Sequence, residues 1–77
     1  MKTVLVTAIG GDIGQAVAKV IREGRKDIRI IGADMQTKHC GFLFSDDFEV
    51  LPPATRDDYL SSMRYIVLKH QIDAVIP

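Results

Sequence analysis

Gly10, Gly11 and Gly14, with Asp12 between them and Asp34 further along, are the residues whose types and spacing could do chemistry. The glycines follow the apolar run Val4-Leu5-Val6 and precede a segment of helical period, so they read as the loop of a strand–loop–helix unit. Lacking a Cβ, Gly10 and Gly11 let the chain reverse tightly, and Gly14 lets the helix approach the strand. Backbone N–H groups aimed outward at such a helix start, with the positive end of the helix dipole, attract phosphate or carboxylate. Asp34 ends a second apolar run about 20 residues beyond the last glycine, where a dinucleotide fold hydrogen-bonds a ribose hydroxyl. Gly10, Gly11, Asp12, Gly14 and Asp34 are therefore the candidate substrate- or anion-binding residues. A second reading stays open: glycines of this motif also serve packing alone, and aspartate is common where a strand leaves into a turn. The G-x-G-x-x-G fingerprint is incomplete, because its first position is Ala8 when counted from Gly10 and Ile9 when counted from Gly11.

Other reactive groups organise less well. His39 and Cys40 are adjacent, but with no second cysteine and only the distant His70 they lack zinc-site spacing. No metal site and no catalytic set is expected. Lys19, Arg22, Arg25, Lys26 and Arg29 form a basic group that complements a helix C-terminus and is diluted by Glu23 and Asp27. Ten basic and ten acidic residues cancel over the chain, which argues against a nucleic-acid partner.

The elements that must position these residues fit in one small domain, 1–77. A chain of 77 residues with 47% hydrophobic and 26% charged residues is ordinary for a globular protein, though at this size only about 60% of the unfolded surface is buried. The single Cys40 cannot make an internal disulfide, which suits a reducing cytoplasm. No stretch approaches the roughly 18 apolar residues of a membrane span, and the opening apolar run is broken too early, at Gly10 to Asp12, for a signal peptide.

The first strand is centred on Val4 to Val6. A helix follows, with Asp12 as N-cap, Gly24 as C′ terminator and an inward face of Ile13, Ala16, Val17, Val20 and Ile21. Ile28 to Ala33 form the second strand, and Met35 to Ser45 an irregular connection in place of a helix. Phe48 to Leu51 form a short outer strand closed by Pro52-Pro53. Thr55 with Asp58 reads as a capping-box variant starting a helix whose inward face is Tyr59, Leu60, Met63, Ile66 and Val67. Asp73 to Ile76 form the last strand. Strands running both ways from the first create a switch point, so the expected architecture is a small Rossmann-like α/β domain. Its parallel sheet has order 3-2-1-4, with one helix on each face.

Taken together, six blocks resemble a known family: Val6-Thr7-Ala8-Ile9-Gly10-Gly11-Asp12-Ile13-Gly14-Gln15, Gly32-Ala33-Asp34, Ser45-Asp46-Asp47-Phe48, Val50-Leu51-Pro52-Pro53-Ala54, Asp58-Tyr59 and Ile72-Asp73-Ala74-Val75-Ile76-Pro77. Their succession is similar to the N-terminal, pre-ATP-grasp domain of ATP-grasp ligases, nearest the carbamoyl-phosphate-synthase large-chain-like group. The resemblance spans essentially the whole chain and departs from the family pattern at Ala8, usually glycine. It implies an enzyme that joins a carboxylate to an amine or similar nucleophile through an acyl-phosphate made from ATP and Mg2+. In such enzymes ATP and metal lie between two later domains, while the N-terminal domain closes one side of the small-molecule substrate site with its glycine loop. The 77 residues would then be a piece of a longer chain, inactive and without a cofactor of their own.

Two other readings remain. A nicotinamide-dependent epimerase or reductase carries Thr-Gly-x-x-Gly-x-x-Gly, matched here at Thr7, Gly11 and Gly14 but not at Ala8; the Phe48-to-Pro53 segment has no counterpart there, nor is a catalytic Tyr-Lys pair within reach. A non-catalytic binding module is the third. The last strand, apolar like a central one yet placed at an edge, further predicts a homodimer through that edge.

Overall fold

A computed structural model of the chain describes residues 2–9, 11–25, 27–35 and 45–76, with the side chain of Asp12 left aside. Gly10, and the 36–44 stretch with His39 and Cys40, lie outside the described residues, and with them most of the expected irregular connection. The elements run β1 (Lys2–Thr7), α1 (Asp12–Gly24), β2 (Ile28–Asp34), β3 (Asp47–Val50), α2 (Tyr59–His70) and β4 (Ala74–Ile76). All strand pairings are parallel, in the order β3-β2-β1-β4, as expected.

Strand periodicity divides the core between the two faces of the sheet. Val4, Val6 and Ile30 point to one side, where they meet Ile9 and Ala18 with Val17 and Ile21 of α1. Leu5, Ile31 and Ala33 point to the other, under Leu51 and Ile66 with Tyr59 and Met63 of α2. One helix therefore covers each face. The central strands are buried on both sides, which is why their sequences are continuous apolar runs rather than alternating ones. No helix of the described residues is long and apolar enough to cross a membrane.

Several local expectations are corrected. The inward stripe of α1 is Gly14, Val17, Ala18 and Ile21, while Ile13 and Val20 are 81% and 69% exposed and Ala16 is exposed too. The rotation of the helix is set by its closest contact. A Cβ on Gly14 would lie 2.3 Å from the Ala8 carbonyl oxygen, so the smallest residues must face the sheet. Gly11, not Asp12, occupies the N-cap position, and no side chain caps the helix. Gly24 is the last helical residue rather than a left-handed C′; the cap is Arg25 in extended conformation, its N–H donating to Ile21 O at 2.8 Å.

The capping box at Thr55 is absent. Turns closed by Arg56 N–H to Pro53 O (3.0 Å) and Tyr59 N–H to Arg56 O (3.2 Å) delay α2 to Tyr59, with Asp58 at its N-cap position and no side-chain cap there. Leu60 is 77% exposed instead of inward. The far end of α2 closes on Gln71 in the left-handed region (φ 53°), a conformation more usual for glycine.

Both outer strands begin with the same device. Asp73, one residue before β4, donates its N–H to Thr3 O (2.8 Å) while its Oδ2 accepts the Thr3 N–H (2.8 Å). Asp46, one residue before β3, donates its N–H to Ile30 O (2.7 Å) while its Oδ2 accepts the Ile30 N–H (2.8 Å). In each case a carboxylate completes the ladder where the edge strand has not yet started.

Candidate functional site

The loop after β1 is tighter than its glycines suggested. Ala8 carries the positive φ (53°), whereas Gly11 has φ −87° and no glycine among the described residues has a positive φ. An alanine held left-handed costs roughly 1–2 kcal/mol relative to an allowed conformation. The surrounding bonds hold it there: Ile9 N–H donates to Ala33 O at 3.1 Å, and Gly11 N–H donates back to Ala8 O at 3.0 Å. These two donors are thus consumed within the fold rather than aimed outward. Gly14 is buried, and its approach to the Ala8 carbonyl is the close packing expected of it. Gly11 is exposed at the helix start.

Beside this loop, outside the carboxyl ends of β1, β2 and β3, lies a cleft of about 260 Å³. Open α/β sheets place ligands in this position. The cleft is lined by Thr7 and Ala8 from the end of β1, Asp34 and Met35 from the end of β2, the Leu51-to-Ala54 segment that leaves β3, and Tyr59 at the start of α2. Its walls are held by backbone. Leu51 N–H donates to Asp34 O at 2.9 Å, so the proline-rich exit from β3 runs next to Asp34. Thr7 Oγ1 donates to Ile76 O at 3.4 Å, linking the ends of β1 and β4.

Of the residues singled out from sequence, Asp34 lines the cleft. Gly11 and Gly14 shape the loop without lining it, and Gly10 and the Asp12 side chain are outside what is described. Leu51 to Ala54 and Tyr59 were legible as a strand exit and a core stripe, but their convergence on one cleft was not.

A second polar cluster escaped sequence reasoning altogether. Glu49 Oε2 on β3 accepts from Lys69 Nζ at 2.8 Å and pairs with His70 Nε2 at 2.6 Å, and the His70 side chain is only 6% exposed. Lys69 holds the Glu49 carboxyl below the usual carboxylate range; partial burial opposes the shift and His70 reinforces it. The ammonium of Lys69 also lies 5.8 Å from the Tyr65 ring centroid. This cluster pins the end of α2 to the edge strand. Among the described residues no three His, Cys, Asp or Glu side chains come together as a metal site would require.

No protein-family model matches the sequence, and no curated protein matches it. Among solved structures, the chain is similar to the NAD complex of dTDP-glucose 4,6-dehydratase from Bacillus anthracis, with a TM-score of 0.67 and 14% sequence identity. The match covers 97% of this chain and 26% of that one, so the chain spans about a quarter of that enzyme's length. A likeness at this identity establishes the fold, a Rossmann-like α/β sheet.

Proposed function

We propose that the chain is the N-terminal, substrate-side domain of an ATP-dependent carboxylate–amine ligase of the carbamoyl-phosphate-synthase large-chain-like kind. The observation that supports it is convergence. Of the six sequence blocks behind the resemblance, four contribute to one cleft: Thr7 and Ala8, then Asp34, then Leu51 to Ala54, then Tyr59. On this reading the chain supplies one wall of a small-molecule site. ATP and Mg2+ would be held by further domains of a longer chain, where ATP forms the acyl-phosphate. A cytoplasmic location goes with it, in keeping with a lone cysteine.

The reductase reading draws support from the fold neighbour that holds NAD. The residues present fit a dinucleotide poorly. The cleft's 260 Å³ falls below the roughly 300–1,000 Å³ of ordinary ligand pockets, and Ala8 replaces the glycine of the tight turn. The Ile9 and Gly11 N–H groups already have backbone partners.

Two measurements test the proposal. Calorimetric titration of the 77-residue chain with NAD and with ATP–Mg2+ is expected to give dissociation constants no tighter than about millimolar, roughly 4 kcal/mol. Micromolar NAD binding, lost on Asp34→Ala, would overturn it in favour of ribose recognition. Sequencing the gene past the codon for Pro77 is expected to reveal about 200 further residues, the size of a further domain or two. They should carry a glycine-rich hairpin, a strand lysine and a late Glu/Asn pair; a Tyr-x-x-x-Lys there would favour the reductase.

A further inference from the structure

We draw no further inference here: the strongest candidate, the exposed apolar stripe of Ile13, Ala16 and Val20 along α1, carries nothing because nothing in the structure shows what covers it.

Discussion

The two edges of this sheet begin alike and are finished differently. Each outer strand is entered through an aspartate that bridges to its neighbour in both directions, Asp46 to Ile30 and Asp73 to Thr3. At β3 the device is reinforced. Arg22 pairs with the Asp46 carboxylate and also donates to Ile28 O at 3.1 Å, Arg29 lies 3.6 Å from Asp47, and Glu49 is held by Lys69 and His70. At β4 nothing comparable follows among the described residues: its three residues, Ala74, Val75 and Ile76, are all apolar, and Val75 is 42% exposed. Charged side chains on an edge strand discourage pairing with another chain, and an uncharged apolar edge invites it. The β3 side is therefore built as an outer boundary, whereas β4 has the composition of a strand with a neighbour on each side.

Removing the two aspartates separately breaks the comparison most sharply. Asp46→Ala leaves the N–H of Ile30, a fully buried residue, and the Arg22 guanidinium without their shared acceptor, for an expected loss of about 2–3 kcal/mol. Asp73→Ala deprives the Thr3 N–H alone and is expected to cost about 1–2 kcal/mol. Urea unfolding of the two variants against the parent chain measures the difference. Equal losses would mean that Arg22 contributes nothing and that the edges differ only in appearance.

That difference was partly legible beforehand. Strand existence and order were readable because Val4 to Val6 and Ile28 to Ala33 are long enough apolar runs to demand cover on both faces. The helix faces were not, because a hydrophobic period selects large side chains, whereas the Ala8 carbonyl forces Gly14 and Ala18 inward and leaves Ile13 and Val20 outside. Thr55 looked like a cap until two successive turns moved the start of α2 to Tyr59. Positive φ fell on Ala8 and Gln71, residue types that give no warning of it. At the candidate site Asp34 was readable from its place after a strand, but the walls facing it were not. The Glu49–His70 pair joins residues 21 apart that no local motif connects.

Acid should sharpen the contrast between the edges. Asp46 is raised by partial burial, but the Ile30 N–H and then Arg22 outweigh this and hold its carboxyl below the usual 3.8. Glu49 is held below 4.5, first by Lys69, with burial opposing and His70 adding to the shift. For groups depressed in the folded state, the stabilisation is complete above the unfolded value and disappears as pH falls through the folded one, here below about pH 4. After solvent screening each pair is worth about 1 kcal/mol or less. Hydrogen exchange followed from neutral pH downward should show Phe48 and Val50 losing protection relative to Leu5 in that window, with Ala74 to Ile76 changing less. In Glu49→Gln the β3 response should shrink. Parallel loss at both edges would assign the acid sensitivity to the whole fold instead.

The smallest expected effect on stability is the one that reads the β4 edge directly. Among the described residues no strand pairs with its outer side, which also carries the exposed part of Val75. The nearby flank of α2 adds more apolar surface: Lys69 reaches β3, so Leu60, nine residues earlier and about half a turn round the helix, faces the opposite side. Antiparallel pairing of two copies through this edge would satisfy both sets of backbone groups under a twofold axis. A contact of three residues per strand is short, so the expected association is weak, visible by sedimentation at tens of micromolar and above. Val75→Lys places a charge on a residue already partly in solvent; it is expected to change monomer stability by no more than about 0.5 kcal/mol. Its effect on association should be out of proportion to that, because two lysines would face each other across the axis and cost the paired state but not the monomer. A parent chain that sediments as a monomer at every concentration, with Val75→Lys indistinguishable from it, would show that the apolar edge of β4 is already covered and that the two edges are equally closed.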